Sequence, residues 1–516
     1  MSDKIARLKS VFSNWLVQFV LFSGILWLIF IILEINRHLK DMILGYHYWR
    51  KSDTYAQISN YYYNGLNFFD HSIYYNQLES GGRAVAEFPL FYYFIAFQQT
   101  IFGNYQIIAK INWILLLYIG LFSIFKIAQH YLKHVGFSLL VALILFTSPI
   151  YTAYAIDFLP DSVAINLIFI GFWLLLKSSL NHKTSTFIFA IILFSIAGMM
   201  KPFFLIPFIA LLMVIISNHL FIKKEFIPFK WSLLIPILAT ILWFVYAHYY
   251  NSVTGGGNYF LSTTRAIWDY SAEETATTIY VIKVLWLNDY IHPLFRPFFL
   301  LIVLVNLVWW NKKTVLLNLF YVFSLLGGLA FFVLFFNMLE HHDYYVYPLI
   351  FLVPLTIGKF LFHIQPYLRL NALKHSLSLI LLVLFYMSLT NTFNRVQSRR
   401  MDTRINGLVQ YAGYQNLDAF LTRNGVKETD YVLAFSDKSP SHALSLMNRK
   451  GWSGYQTNYK LQKLPYLIEY GAKYLIINKR AKLLDDSTYT HGYTHFLVAD
   501  TNDIFIYDLQ PYQLKE

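Results

Sequence analysis

Apolar residues run nearly unbroken through residues 15 to 33, 105 to 129, 159 to 178, 184 to 221, 231 to 250, 291 to 310, 314 to 337, 345 to 363 and 374 to 391, with a shorter run at 136 to 150. A helix needs about 18 or more apolar residues to cross a bilayer, so these runs read as membrane spans. Lys201-Pro202 splits the run 184 to 221 into two, which brings the prediction to about eleven spans. The run from Phe88 to Ile101 is short for a crossing and reads as a re-entrant or surface helix. The stretch Glu34 to Asn104, between the first two spans, is far longer than an ordinary connection, and loops of that size usually carry function. It predicts two helices. Asp53 to Asn64 has Ser52 as N-cap, Gly65 as stop, and Tyr55, Ile58 and Tyr62 as an aromatic and apolar face suited to lying along a bilayer surface. The other opens at Pro89 and reaches Phe102, before Gly103.

Past Asn391 the apolar runs shrink to strand length. Tyr431 to Phe435, Tyr474 to Asn478, His495 to Ala499 and Ile504 to Tyr507 predict strands, and about Leu461 to Tyr470 predicts a helix ended by Gly471. The fold class is therefore an α-helical polytopic membrane protein with a small C-terminal soluble α/β domain. We divide it into a membrane domain over 1–394, which contains the loop 34–104, and a C-terminal domain over 395–516.

Composition agrees. Of 516 residues 57% are hydrophobic and 13% charged, against about 25% charged in soluble domains. The net charge of +13 is largely a topology signal. Lys4, Arg7, Lys9, Lys126, Lys133, Lys177, Lys183, Lys223, Lys224, Lys230, Lys312, Lys313, Lys359, Arg369 and Lys374 fall on one side of the predicted spans, opposed there only by Asp3 and Glu225. By the positive-inside rule that side is cytoplasmic, which puts the N-terminus inside and both the loop 34–104 and the C-terminal domain outside. Arg395, Arg399, Arg400 and Arg404 after the last span run against the rule. No nucleic-acid partner is needed to explain the charge. The first span lacks a small-residue cleavage site and reads as a retained anchor. The chain has no cysteine, so neither disulfides nor thiol chemistry enter.

Acids in the polar segments are the candidate chemistry. With Ser52 as N-cap, Asp53 falls in a first helical turn, where the helix dipole favours a carboxylate able to accept a proton or hold a cation. Asp161 follows Pro160 at another helix start, with Asp157 nearby. Two readings stay open for both, a helix-start preference and a shared functional cavity. Arg83 and Glu87 are four residues apart after Ser80-Gly81-Gly82 and could form a surface ion pair. Lys201 either snorkels or, with Arg265 and Arg296, pairs with a phosphate. Gly255-Gly256-Gly257 reads as a flexible loop covering an acceptor, since no strand and helix flank it as a phosphate loop requires. In Glu340-His341-His342-Asp343-Tyr344-Tyr345 the adjacent histidines point apart, so a metal would take one of them, His341, plus acids such as Glu87. The alternative is interfacial packing with the tyrosines.

Taken in order, SDTYAQISNYYYNG, EFPLFYY followed by FG, LPDS, MKP and HDYYVYPLIFLVP resemble the protein O-mannosyltransferase and aminoarabinose-transferase superfamily of polytopic GT-C glycosyltransferases, over about residues 10 to 390. The resemblance implies inverting transfer of a sugar from a polyprenyl-phosphate donor to a glycan, lipid or protein acceptor at the outer face of a bacterial inner membrane. It implies Asp53 as the base or acceptor-orienting acid, with Glu87 and Asp161 as further catalytic acids. Arg83, Lys201, Arg265, Arg296 and Tyr345 are the substrate-binding candidates, and a divalent metal is an optional cofactor. The chain departs from the family at Thr54, where a second acid often stands, and at Phe88, where aminoarabinose transferases have a lysine. Arg83 or Lys201 would then meet the phosphate. A transporter or flippase of lipid-linked sugars is the alternative, disfavoured because the ionisable groups cluster at span ends and no internal repeat is visible.

Overall fold

The computed structural model describes residues 14–39, 43, 45–76, 80–222, 230–256, 264–310, 314–367, 371–401, 411, 413–414, 417–434, 436–437, 439–454, 464–480 and 491–513. Of the topology signals, Lys4, Arg7, Lys9, Lys223, Lys224, Glu225, Lys312, Lys313, Arg369 and Arg404 lie outside the described residues, as does the first part of the helix expected from Leu461. In chain order the helices are α1 (Trp15–Ile32), α2 (Tyr48–Tyr63), α3 (Leu90–Phe102), α4 (Gln106–Leu132), α5 (Val135–Leu143), α6 (Pro149–Tyr154), α7 (Pro160–Asn181), α8 (Thr184–Met200), α9 (Ile206–Ser217) and α10 (Ile235–Thr254). There follow α11 (Ala272–Val281), α12 (Leu287–Tyr290), α13 (Phe295–Val308), α14 (Val315–Leu334), α15 (Met338–His341), α16 (Leu352–Ile364), α17 (Asn371–Met401), α18 (Leu417–Arg423), α19 (His442–Met447), α20 (Leu464–Glu469), which is the helix expected from Leu461 to Tyr470, and α21 (Gln510–Gln513).

Among the described residues eight helices are long and apolar enough to cross a membrane. Ala272–Tyr290 and Phe295–Val308 form a further pair bent by 90°, and Val135–Thr147 and Thr184–Met200 are shorter apolar helices. Together they match the expected runs one for one. The limb Ala272–Tyr290 is the part hydropathy missed, because Glu273 and Glu274 in its first turn mask it.

The chain forms two compact units. One comprises Met1–Lys40, Lys110–Leu242 and Thr263–Ser398, and the other Asp41–Ala109, Trp243–Ser262 and Arg399–Glu516. In the first, α7 and α8 pack as a hairpin turned at His182 in the left-handed conformation, and α9 packs on α14 and α13 on α16. These are apolar helices in mutual contact, and their lipid-sized outer residues such as Leu242, Leu301 and Leu304 are exposed, as expected of a bilayer-facing surface.

In the second unit five strands, β1 (Tyr431–Ala434), β2 (Gly451–Ser453), β3 (Ala472–Asn478), β4 (Leu497–Asp500) and β5 (Ile504–Asp508), form a sheet of order β2-β1-β3-β5-β4. β1 runs parallel to β2 and β3, while β5 is antiparallel to β3 and β4. The outer edge of β2 is covered by the first loop. Gly451 N donates to Tyr74 O (3.0 Å), and Asn76 N donates to Gly451 O (2.6 Å). A sheet edge left open is an aggregation hazard, so this pairing closes one. The hydrophobic core joins Ala56, Ile73, Tyr74 and Tyr75 to Tyr411, Leu433, Leu444, Met447, Leu475 and Ile506. The loop and the C-terminal sheet therefore share one interior.

Gly451 is a point of close approach, where a Cβ would overlap the carbonyl oxygen of Val432 in the neighbouring strand. Backbone cannot yield as a side chain can, so Gly451→Ala is expected to cost about 3 kcal/mol. Thermal unfolding of the purified protein checks this, and an unchanged midpoint would contradict the packing.

Candidate active site

Helix α2 is rich in polar residues yet buried on all sides, with every residue from Arg50 to Tyr61 out of solvent. This corrects the expected surface helix with one apolar face. It also corrects the helix start. Gly45 (φ +79°) and His47 (φ 52°) turn the chain upstream, and Tyr48 N bonds Gly45 O at 3.2 Å, so the helix begins at Tyr48. Ser52 lies inside it and returns its hydroxyl to Tyr48 O (2.8 Å), the back-bond serine makes within helices. Asp53 therefore sits beyond the first turn and gains no direct support from free N–H groups. Gly65 still ends the helix, with Asn64 as C-cap.

Helical spacing puts Arg50, Asp53, Thr54 and Gln57 on one stripe of α2. Arg50 donates from Nη2 to Glu87 Oε1, and both side chains are buried, at 7% and 4% exposure. The expected Arg83–Glu87 pair is thus replaced. Arg83 is exposed, its backbone N closing the turn onto Ser80 O (3.0 Å). The backbone beside Glu87 is pinned by α10. Asn251 exchanges two hydrogen bonds with Val85, both 2.9 Å, and Trp243 Nε1 donates to Ala86 O at 2.7 Å. Gly256 lies against the carbonyl of Arg83, while Gly257 falls outside the described residues.

In the first unit, Asp161 is in the first turn of α7 behind Pro160, as expected. Its Oδ2 accepts from Lys201 Nζ at 2.6 Å. Lys201 stands at the break between α8 and a 3-10 turn, with its ammonium 5.2 Å and 5.3 Å from the ring centres of Tyr344 and Tyr345. It does not snorkel. An ion pair backed by two aromatic faces holds a cation at a fixed point. His342 stacks on both tyrosines, and Tyr154 donates to the buried Asp343 (3.0 Å).

The structure brings together Asp161, Lys201 and Tyr345, and separately Asp53's helix and Glu87. The other candidates have local partners. Arg265 lies over the ring of Tyr270 and pairs with Glu274 (3.4 Å), and Arg296 donates to Asn288 (2.5 Å) and Ile291 O. His341 is exposed at the end of α15. Among the described residues no group of three or more His, Asp or Glu is placed to hold a metal ion, so neither His341 nor Glu87 gathers a ligand set. Sequence reasoning passed over Arg50 and Asn251. The first was legible in its i, i+3 spacing to Asp53; the second carries no local signal.

Two histidines of the second unit titrate far from the usual range. Burial lowers His71, which bonds Tyr61 at 2.7 Å, to about 4. Burial, with Lys51 beside it, lowers His442 to about 3. Between these values and the ordinary 6.5 the unfolded chain binds more protons, so stability is complete above about pH 6.5 and falls with pH below it. At pH 5 the loss is about 2 kcal/mol for each histidine. Melting temperatures at pH 7.5 and 5 test this, and His442→Asn should reduce the dependence. A pH-independent midpoint would contradict it.

Residues 86–246 match the family described as dolichyl-phosphate-mannose-protein mannosyltransferase. No curated protein matches the chain in sequence. Among solved structures, ArnT from Cupriavidus metallidurans bound to undecaprenyl phosphate superposes with a TM-score of 0.60 at 9% identity, covering 95% of this chain and 97% of that one. Its apo state gives 0.59 at 10% identity with the same coverage. The resemblance carried by the sequence motifs is borne out by the family match over residues 86–246, and the chain is an integral membrane protein that shares the fold of ArnT.

Proposed function

We propose that the protein is an inverting membrane glycosyltransferase that moves a sugar from a polyprenyl phosphate to an acceptor hydroxyl or phosphate at the outer face of a bacterial inner membrane. The observation that carries this reading is the buried acid of α2, Asp53, beside the Arg50–Glu87 pair, in a chain that shares the fold of a protein crystallised with undecaprenyl phosphate. Asp53 takes the proton of the acceptor as its oxygen attacks C1. The C1–O bond to phosphate breaks from the opposite face, and a single displacement inverts the anomeric carbon. The polyprenyl phosphate leaves with the bonding electrons.

Glu87 is a positioning residue in this scheme, fixing Arg50 on the stripe of α2 that also carries Asp53. Asp161 does the same for Lys201. Placement at the outer face rests on the cytoplasmic bias of basic residues such as Lys126, Lys133, Lys177 and Lys183.

Mass spectrometry of envelope glycans and lipid-linked sugars from cells with and without the protein tests the reading. One glycan should lose a sugar while its polyprenyl-phosphate form accumulates. Identical profiles would overturn it. In vitro, protein in nanodiscs is supplied with undecaprenyl phosphate mannose, glucose or aminoarabinose and an envelope extract, and release of undecaprenyl phosphate is measured.

A further inference from the structure

The C-terminal sheet domain meets α2 at the turn that precedes Asp53. Ser52 Oγ lies 2.6 Å from His442 Nδ1, and Tyr48 O–H reaches Tyr411 at 3.0 Å, which in turn donates to Asp437 at 2.6 Å. Asp437 is anchored in its own domain by Ser439 N (2.7 Å), Ser439 Oγ (2.8 Å) and Ala443 N (2.7 Å). The His442 ring is wedged between Tyr411 (4.4 Å) and Tyr48 (5.3 Å), and all its atoms are buried.

Proton bookkeeping gives this contact a direction. The Ser52 hydroxyl has one proton and donates it to Tyr48 O at 2.8 Å. With that bond made, it accepts from His442, whose proton then sits on Nδ1. His442 Nε2 is buried with no partner among the described residues; it is then a bare acceptor, cheaper to leave unmet than an N–H donor. Burial and the Lys51 charge keep the ring neutral. The Tyr411 proton goes to Asp437, so Tyr48 donates to Tyr411. Two one-way chains thus tie the N-terminal part of α2 to the C-terminal domain, one at Ser52 and one at Tyr48.

We infer that His442 is a positioning residue for transfer: through Nδ1 it fixes Ser52, and with it the helical turn that aims the Asp53 carboxylate, so the C-terminal domain is a working part of the catalytic unit. Pairing of the β2 edge with Tyr74 and Asn76 supports this, since it fastens the same domain to the first loop at a second place. The inference rests on the role proposed for Asp53.

The test compares His442→Phe, which keeps a ring but no donor, with His442→Asn, whose amide N–H reaches where Nδ1–H does. Ser52→Ala removes the acceptor. The assay is undecaprenyl phosphate release in nanodiscs, with whichever of the mannose, glucose or aminoarabinose donors turns over. His442→Phe and Ser52→Ala should each lower kcat by about 10- to 100-fold with KM and undecaprenyl phosphate binding within about twofold, and His442→Asn should recover to within about fivefold of wild type. The double variant His442→Phe with Ser52→Ala should be no slower than either alone. Wild-type kcat in both single variants overturns the inference. So does a loss confined to folded yield that His442→Asn does not rescue, with Ser52→Ala at full rate. Should Asp53→Asn remain active, the Asp53 reading fails; an inactive Asp53→Asn beside fully active His442→Phe and Ser52→Ala sinks this inference alone.

Discussion

Asp53→Asn is expected to lower transfer by about 10³-fold while leaving the protein folded, inserted and able to bind undecaprenyl phosphate, because a positioned general base contributes about 10² to 10⁴ in rate. The substitution keeps the volume and one acceptor oxygen at a fully buried position, so packing is retained while the capacity to take a proton is lost. Asp53 also lies on a helix fixed at its start by Tyr48 and Ser52, so a neutral amide should stay in place without repacking. The measurement is kcat for undecaprenyl phosphate release together with the melting temperature. An unchanged midpoint with collapsed kcat is the expected pattern, and near wild-type turnover removes Asp53 from the chemistry.

The second large effect falls on stability. Glu87→Ala would take from the Arg50 guanidinium, buried at 7% exposure, the carboxylate of Glu87, and removing one partner of a buried ion pair costs about 3–5 kcal/mol. The segment cannot relax to relieve this, since Asn251 and Trp243 hold the backbone at Val85 and Ala86. The double variant Arg50→Met with Glu87→Met should be much less destabilised than Glu87→Ala, because both members of the buried ion pair are replaced by apolar side chains of similar length. Thermal unfolding of the three proteins decides. A Glu87→Ala protein as stable as wild type would mean that water reaches Arg50.

What the sequence reveals divides by range. Hydropathy locates the membrane helices because each is specified by its own residues, and among the described residues it misses Ala272–Tyr290, whose first-turn acids look like loop. Four of the five strands are legible as short apolar runs. β2, three residues reading Gly-Trp-Ser, is not, because its place comes from pairing with β1 and with Tyr74 to Asn76. Asp161 at the start of α7 and Lys201 at a helix break follow from adjacent prolines. Their ion pair does not follow from spacing, since it joins two helices.

The largest misreading concerns α2, where a good local N-cap signal at Ser52 lost to a turn at Gly45 and His47 and to tertiary burial. Propensity is a weak prior against such context. Arg83 and Glu87 at i, i+4 made the obvious pair, yet Arg50, far away in sequence, takes the carboxylate. The Ser52–His442 contact spans 390 residues, and neither residue announces the other.

In the proposed reaction, sugar leaves its lipid carrier on this protein. Proteoliposomes loaded with undecaprenyl phosphate sugar labelled in the sugar, and given an envelope extract outside, test it most directly. The account predicts that label moves to a product of inverted anomeric configuration, that undecaprenyl phosphate is recovered in equal amount, and that Asp53→Asn does neither. Label that crosses the bilayer still attached to its lipid, with no undecaprenyl phosphate released, would contradict it and identify a flippase.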